Sequence, residues 1–550
     1  MKKMIAFLPV CFMLMTAWPG QNQDLVKNEG IMGPLHRGHI GQITFMAKPI
    51  ALPDYRESDF LREFELKEEG DLNIRAFMGN SLTNYLHRLE PAMSAEELAR
   101  SGNYRFSFFI DGTMIYTENL TPGAGSPAAK NSQTVFRVPL ISSTGEDSWG
   151  RFLWSRFLIR GGEDALTAGE HVLKIEIRPY VKEPALKIGE LIAAGQITLN
   201  VVKPAVDEAA IAPLPIRPGS GWPVSNDSYD KEKIRELNRK IAQRDFKDIT
   251  SLVVIKAGRL LIEEYFNGAD RQTLHNTRSA GKSFVSALLG QAIRDGHIKD
   301  INRTLGEFYD LKSFAHFSSK KGAVKLRDLL TMSSAFTGSD QNPDSPGNEE
   351  NMYPTSDWAK FALDLPMDET KENGKQWDYF TAGVVVLGDI LDKSVPGGLE
   401  RYAEKELFKP LGITRYEWSY TPQKVVNTAG GLQMSSLDFA KFGQLYKNGG
   451  LWNHTPVLPQ SWVEASFQKY LKIPGQDNGF YGFLFWNTTY KVNGRPQEAF
   501  YATGNGGNKI FVFSEQPLVV VVTATAFGKP YAHPQVDKMM ERYILPAVLR

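Results

Sequence analysis

The chain has 550 residues, 42% hydrophobic and 23% charged, which excludes intrinsic disorder, collagen and coiled coil as overall descriptions and suggests two or three domains. Lys and Arg number 63 against 62 Asp and Glu, a net charge of +1. With no basic excess to neutralise a phosphate backbone, we expect no nucleic-acid partner. The single cysteine, Cys11, excludes an internal disulfide framework and a cysteine-built zinc site.

Residues 1–20 have the layout of a secretory signal peptide. Two lysines precede an almost wholly apolar run, Met4–Trp18, which Pro19 then breaks. The run is shorter than the roughly 20 residues of a membrane-spanning helix, and no later stretch is apolar enough to span. A lipid anchor on Cys11 is the rival interpretation, but the preceding Val10 is not small and apolar sequence continues past the cysteine. We therefore expect an exported protein, periplasmic or extracellular, without a transmembrane span.

Residues 24–202 are predicted to form a β-rich accessory domain, with a β-sandwich as the expected architecture. Within Arg105–Glu118, two apolar runs flank an Asp-Gly pair, which indicates a hairpin. Val135–Ile141 and His171–Tyr180 alternate with period two, as half-buried strands do. The aromatic side chains of this region could line a sugar-binding face, although packing in the core is their commoner role.

Residues 203–225 contain five prolines and few periodic apolar positions, so we expect a linker there. Residues 226–550 then show strand patterns at both ends and helical patterns in the middle. This order predicts an α+β domain whose sheet is closed by chain segments far apart in sequence. The predicted elements are a polar helix over Tyr229–Arg244, two strands within Thr250–Tyr265, a buried helix over Ser283–Ile293, strands Lys509–Phe513 and Leu518–Ala526, and a final amphipathic helix over Gln535–Arg550.

A serine and a lysine three residues apart, Ser279 and Lys282, are the first candidate catalytic residues. Residues at this spacing lie on one face of a helix and can touch. A lysine without its proton can accept the serine proton and turn a weak nucleophile into a strong one. The site must favour that state by burial or nearby positive charge, because an ordinary lysine has a pKa of about 10.4. The spacing therefore predicts a serine nucleophile with a lysine base.

The same S-x-x-K spacing also occurs at Ser228, Ser318 and Ser466, so the surrounding sequence must distinguish the four serines. Ser279 precedes the apolar stretch that predicts the buried helix Ser283–Ile293, and small residues between it and the lysine leave room for a substrate. The other three serines lie in polar segments or turns. Context therefore favours Ser279.

The sequence argues against a phosphate-binding loop, a serine–histidine–aspartate site and a metal site. Gly281-Lys282-Ser283 resembles the end of a phosphate-binding loop, but that motif needs a glycine at position 276, which is Asn. No G-x-S-x-G elbow is present for a serine–histidine–aspartate site, and His275 is expected to be structural or to support the site indirectly. The nine histidines lack metal-ligand spacing and no H-E-x-x-H occurs, so we expect neither a metal nor an organic cofactor.

Five sequence blocks lie in a family-specific order between residues 225 and 550. They are HNTRSAGKSFVSALLGQAIRDGHI from His275, VKLRDLLTMSSAF from Val324, WDYFTAGVVVLGDIL from Trp377, NTAGGLQMSSLDFAKFGQL from Asn427 and YATGNGGNKIFVF from Tyr501. On these blocks the chain resembles the serine β-lactamase and penicillin-binding-protein superfamily. It is most similar to the branch related to class C β-lactamases, which includes esterases, D-aminopeptidases and 6-aminohexanoate-dimer hydrolases. The resemblance implies a β-lactamase-like, transpeptidase-like fold for residues 226–550, with an antiparallel sheet and a helical subdomain.

The resemblance also implies roles for individual residues. Ser279 matches the acylated nucleophile and Lys282 its base partner. Tyr379 matches the tyrosine of the second motif, usually Tyr-Ser/Ala-Asn, and is implied to exchange a proton with Lys282, protonate the leaving group and then activate water. Here the motif reads Tyr379-Phe380-Thr381, so its third position departs from the family pattern.

The third motif of the superfamily, Lys or His followed by Thr or Ser and Gly, has an ambiguous register in this sequence. We prefer Asn505-Gly506-Gly507, because an apolar strand then follows at the right distance, and Ala502-Thr503-Gly504 is the alternative. Neither contains the cation that helps to hold a substrate carboxylate, which argues against efficient β-lactam or D-Ala-D-Ala chemistry. Backbone N–H groups of Ser279 and Asn508 are implied to form the oxyanion hole, with glycines allowing close approach to the substrate.

The sequence thus predicts an exported serine hydrolase that cleaves a small-molecule or short-peptide ester or amide through an acyl-enzyme on Ser279. The N-terminal domain would position the enzyme or form an interface. The alternative is a catalytically weak or inactive binding or scaffold relative of penicillin-binding proteins, which the departures at Thr381 and Asn505 motivate. Substrate identity and oligomeric state follow from no pattern in the sequence.

Overall fold

The computed structural model describes residues 24–67, 70–122, 124–142, 149–342 and 344–549. The predicted signal peptide, including Cys11, lies outside these residues. The chain divides into two compact units, Met1–Lys203 and Pro204–Arg550, and the division falls at the start of the proline-rich segment. Within the described ranges, no helix has both the length and the apolar character needed to cross a bilayer.

The first unit is built on two β-sheets. One is antiparallel and contains, in spatial order, Ile43–Met46, Leu72–Phe77 and Val135–Ile141. The other contains Glu63–Leu66, Ala193–Val201, Gly169–Val181, Gly102–Ile110 and Thr113–Asn119, with Lys187–Ile188 also paired to Gly169–Val181. Its outer pair, Glu63–Leu66 with Ala193–Val201, is parallel. The α-helices are Pro34–Gly38, Leu82–Leu89, Ala95–Ser101, Pro127–Ser132, Trp149–Phe157 and Glu163–Ala165.

Both sheets of the first unit contribute alternate side chains to one buried core. Ile74 from the smaller sheet and Phe106, Phe108 and Ile175 from the larger sheet belong to the same apolar cluster. Two sheets that share one core pack face to face, as in a β-sandwich. The β-rich character expected from the sequence is confirmed, and the predicted hairpin turns at Asp111-Gly112, where both residues have positive φ as such a tight turn requires.

The second unit is built on an eight-stranded antiparallel sheet. Its strands, in spatial order, are Arg259–Tyr265, Ile249–Lys256, Leu518–Ala524, Asn508–Phe513, Arg495–Gly504, Trp486–Val492, Phe480–Tyr481 and Leu471–Lys472. Smaller sheets are formed by His275–Asn276 with Leu432–Met434 and Tyr416–Trp418, and by Leu451–Trp452 with Thr455–Pro456. The α-helices are Lys231–Ala242, Lys282–Arg294, Leu305–Phe308, Ser319–Gly322, Leu326–Leu330, Glu349–Met352, Trp358–Asp364, Thr381–Ser394, Leu399–Ala403, Ser436–Lys447, Gln460–Ser466, Ala532–Met539 and Leu545–Val548.

The sheet is buried on both faces, which explains its continuous apolar strands. On one face, Val253 and Val519 pack against the helices of the middle of the chain, including Lys282–Arg294 and Ser436–Lys447. On the other face, alternate residues of the same strands pack against Lys231–Ala242 and the C-terminal helices. This arrangement confirms the predicted α+β class, with an antiparallel sheet and a helical part.

Candidate active site

Ser279 lies in a tight turn at the entrance to a buried helix. The turn Arg278–Gly281 is 3₁₀-helical and leads directly into the helix Lys282–Arg294, so the helix begins one residue before the predicted Ser283. Side chains three residues apart eclipse each other in a 3₁₀ turn. The S-x-x-K spacing therefore brings the two side chains together here by a tighter turn than the α-helix assumed from the sequence.

The side chain of Lys282 is held against the serine. Its Nζ atom donates to Ser279 Oγ at 2.7 Å and to the backbone carbonyl of Ala429, also at 2.7 Å. Only 1% of Lys282 is exposed to solvent. Because two fixed acceptors orient the amine, Lys282 lies at the distance and in the position that proton transfer with the serine requires.

Tyr379 completes the cluster that the sequence predicted. Lys282 Nζ lies 5.3 Å from the centre of the Tyr379 ring. The ring is fixed by aromatic neighbours, with its centre 5.6 Å from that of Trp486 and 6.2 Å from that of Trp377. The structure therefore brings together Ser279, Lys282 and Tyr379. The catalytic role of each residue stays a prediction.

Ala429 was missed by sequence reasoning because it acts through its backbone. Its segment packs directly on the nucleophile turn, and the adjacent Gly430 has φ +154° with its Cα facing that turn. A side-chain carbon at Gly430 would lie 2.6 Å from the carbonyl carbon of Arg278. The sequence signal that could have indicated this contact is the glycine pair in the block from Asn427, because glycines allow two backbone segments to approach closely.

The strand Arg495–Gly504 forms the other wall of the site. A side-chain carbon at Gly504 would lie 2.1 Å from the carbonyl oxygen of Thr277 and 3.1 Å from the amide nitrogen of Ala280. Gly504, the last residue of the strand, therefore packs in close contact with the backbone of the turn that carries Ser279. Gly504 is the last residue of the alternative register, Ala502-Thr503-Gly504, and the choice between the two registers stays a prediction.

The residues of the preferred register form the turn that follows this strand. Gly506 and Gly507 have φ of +92° and +97°, and the next strand starts at Asn508. Asn508 Nδ2 donates to the carbonyls of Ala524 at 3.1 Å and Asn505 at 3.2 Å, so its side chain ties neighbouring segments together. The contribution of the Asn508 N–H to an oxyanion hole stays a prediction.

A guanidinium group borders the serine, although the third motif lacks a cation. Arg278 has φ +48° and is exposed, and its Cζ lies 4.5 Å above the ring of Phe527. Phe527 is itself 37% exposed. Sequence reasoning overlooked Arg278 because an arginine beside the motif has no distinctive pattern.

The structure also separates Ser279 from two of the other S-x-x-K serines, Ser318 and Ser466. Ser318 caps a short helix by accepting from the Lys321 N–H, whereas the Lys321 amine is buried on two backbone carbonyls. Ser466 donates to a carbonyl of its own helix, and Lys469 forms an ion pair with a glutamate. Neither lysine is bonded to its serine.

His275 is buried in the short strand His275–Asn276, with Nδ1 3.3 Å from Thr250 Oγ1. Burial lowers the pKa of His275 to about 4, so the ring is neutral at physiological pH. These contacts agree with the structural role expected for it. Among the described residues, no group of three or more His, Cys, Asp or Glu side chains is placed to hold a metal ion.

Comparisons with known proteins place this chain in a family. The chain resembles solved structures of an octameric penicillin-binding protein homologue from Pyrococcus abyssi (18% identity, TM-score 0.45, covering 56% of this chain and 76% of that one). It also resembles a penicillin-binding protein from Bacillus halodurans (17%, 0.42, covering 54% and 97%) and a D-stereospecific amidohydrolase from Streptomyces (16%, 0.41, covering 54% and 93%). No curated protein matches the chain. The sequence model of the Beta-lactamase family matches residues 237–541, which is more than half of the chain. The chain therefore belongs to the beta-lactamase family.

Proposed function

We propose that the protein is an exported serine hydrolase that cleaves an ester or amide through an acyl-enzyme on Ser279. The observation that carries the proposal is the 2.7 Å hydrogen bond from the buried Lys282 amine to Ser279 Oγ. A nucleophile in contact with a base that is itself held by a third group is the arrangement that activates serine in hydrolases. Here the third group is the carbonyl of Ala429.

The residues divide the proton transfers as follows. Lys282 takes the proton of Ser279 Oγ as that oxygen bonds to the substrate carbonyl carbon, and the carbonyl oxygen becomes an oxyanion stabilised by backbone N–H groups beside Ser279. The proton then passes through the hydroxyl of Tyr379 to the leaving alcohol or amine as its bond to carbon breaks. In the second half, water attacks the acyl-enzyme, its proton returns through Tyr379 and Lys282, and Ser279 is released.

Neutral esters and uncharged amides are the proposed substrate range. Positions 502 and 505, where the two registers would place the family's cation, are Ala and Asn. Without a charge on the substrate strand, a carboxylate on the substrate loses its usual partner in this family. Export through the predicted signal peptide, with the first unit as an accessory domain that positions the enzyme or forms an interface, is part of the same proposal.

Covalent labelling tests the proposal without knowledge of the substrate. The wild-type protein is incubated with a fluorophosphonate and, separately, with a penicillin, and its intact mass is measured. We expect one phosphonyl adduct on the wild type and none on Ser279→Ala. Ser318→Ala is the matched control, because its serine has the same S-x-x-K spacing but a lysine bonded elsewhere, and it should label like the wild type.

The outcomes separate the two candidate functions. A penicillin adduct in addition to the phosphonyl adduct would move the assignment towards penicillin-binding chemistry. No adduct from either reagent on the folded protein would refute the hydrolase and favour the catalytically inactive binding or scaffold relative. A phosphonyl adduct that persists in Ser279→Ala would show that the nucleophile is a different residue.

A further inference from the structure

One residue from a separate loop, Asp340, binds both ends of the second motif, one through its backbone and the other through its side chain. The backbone N–H of Asp340 donates to the carbonyl of Tyr379 at 2.8 Å. Its Oδ2 accepts from the N–H of Thr381 at 2.8 Å, and its Oδ1 accepts from the N–H of Glu349, also at 2.8 Å. One residue therefore fixes the backbone on either side of Phe380 and ties it to a second loop.

This contact lies where the family pattern is broken. Thr381 occupies the position of the motif's usual Asn, so the amide side chain is missing here, and Thr381 is also the first residue of the helix Thr381–Ser394. A carboxylate that accepts from the first N–H of a helix satisfies one of its free donors and interacts favourably with the helix dipole. Asp340 thus sets the start of this helix and, with it, the backbone of Tyr379.

Asp340 also lies within electrostatic range of the catalytic lysine. The pKa of the Asp340 carboxyl is raised above its ordinary value, mainly by burial, while the hydrogen bond from Thr381 and the charge of Lys282 oppose that rise. Both carboxylate oxygens accept backbone N–H groups, an arrangement that favours the ionised form. When it is ionised, the Asp340 carboxylate therefore interacts with the charge of Lys282 from outside the three recognised motifs.

We propose that Asp340 is a positioning residue of the acylation site: its backbone N–H fixes the carbonyl of Tyr379, and its carboxylate fixes the N–H of Thr381. It acts from a separate loop at the place where the second motif has lost its amide. The inference rests on the proposed function, since it concerns the reactivity of Ser279. Asp340 itself touches neither the serine nor a reacting atom.

The test compares two variants by their second-order rate of labelling with a fluorophosphonate between about pH 5 and pH 10. Asp340→Asn keeps the size of the side chain and one accepting oxygen but removes the charge. With that charge gone, protons in the site are lost more readily, so we expect the rise of rate with pH to shift down by at least about 0.5 pH unit. The other charged or titratable groups that face Asp340 are Lys282, Glu349 and Tyr353, and all are unchanged in this variant.

Asp340→Ala removes both accepted hydrogen bonds as well as the charge, and we expect its labelling rate to fall at least about tenfold, since loss of orientation slows the reaction. Asp328→Asn is the matched control. Asp328 is likewise a buried carboxyl whose pKa burial raises, and it accepts from the Lys325 N–H at 2.9 Å. The charges that face it are Lys325 and Arg327, so this variant should lose stability without moving the pH profile.

The outcomes distinguish this inference from the proposed function. A wild-type pH profile and rate in Asp340→Asn, with a melting temperature lowered as in Asp328→Asn, would make Asp340 merely structural and overturn the inference. An equal shift of the profile in Asp328→Asn would also overturn it. Wild-type protein that does not label at all would instead refute the proposed function, and Asp340→Asn remains informative should Asp340→Ala fail to fold.

Discussion

The close contact between Gly504 and the turn that carries Ser279 predicts that a side chain at position 504 would slow the labelling of Ser279. In Gly504→Ala the added carbon would lie 2.1 Å from the Thr277 carbonyl oxygen and 3.0 Å from Arg278 Cβ. The nearest of these atoms belongs to the backbone, so no side chain can rotate out of the way. Carbon contacts below about 3 Å are strongly repulsive, and the strand and the turn must therefore separate by roughly 1 Å.

That displacement has an expected cost in rate. Ser279 is carried by the displaced turn, whereas Lys282 Nζ is also anchored to the carbonyl of Ala429. A misplacement of about 1 Å can slow a reaction about 100-fold, which corresponds to about 2.7 kcal/mol in activation free energy. Overpacking should also lower the free energy of unfolding by about 1–3 kcal/mol.

The assay is the second-order labelling rate with a fluorophosphonate, measured beside the melting temperature. Gly322→Ala is the matched control, because Gly322 lies at the end of a short helix without positive φ, and a carbon added there would lie 3.8 Å from the side chain of Leu311. The control should label like the wild type. If Gly504→Ala labels within about threefold of the wild type with an unchanged melting temperature, the close approach of strand and turn is refuted.

Three further predictions concern protonation and the proton path. Burial lowers the pKa of His275 to about 4, below the roughly 6.5 of an unfolded histidine, so stability is lost as pH falls from 6.5 towards 4. The free energy of unfolding of His275→Gln, measured with denaturant, should therefore fall less steeply towards acid pH than that of the wild type, by at most about 3.4 kcal/mol. Burial raises the pKa of Glu264 to about 7. The protonated side chain therefore contributes to the free energy of unfolding below about pH 4.5, and this contribution is lost as pH rises through 7. Glu264→Gln should gain stability over the wild type at pH 8 but not at pH 4, and equal differences at both values would contradict this. Tyr379→Phe keeps the ring packed on Trp486 and should keep its melting temperature, while ester turnover falls about 10²–10⁴-fold; near-normal turnover would remove Tyr379 from the proton path.

The elements that could be predicted are those with a local signature. The alternation of Val135–Ile141 and the Asp-Gly turn after Ile110 follow from neighbouring residues, and both are present in the structure. The apolar helix after Ser279 was predicted for the same reason. In the first unit, the short helices such as Leu82–Leu89 were not identified, because eight residues give too few turns for a clear period.

The members of the candidate site that the sequence indicates are identified by their side chains, whereas groups that contribute through the backbone leave no such pattern. Ser279, Lys282 and Tyr379 lie in recognisable blocks and are brought together by the fold. Ala429 offers only a carbonyl, and Asp340 reaches the second motif from a loop with no motif of its own. The sequence leaves two registers for the third motif, since both alternatives place glycine beside a strand.

The pairing of Ile249–Lys256 with Leu518–Ala524 has a consequence for how the active protein forms. These neighbouring strands lie near opposite ends of the second unit's sequence, and the site strand Arg495–Gly504 joins the same sheet two strands further on. Contacts between such distant segments form late and slowly, because a long loop must close before they are gained. The chain therefore cannot assemble its nucleophile site until nearly all of it is available to fold. Labelling of Ser279 should consequently appear late in refolding and report the completed sheet, long after local helices have formed.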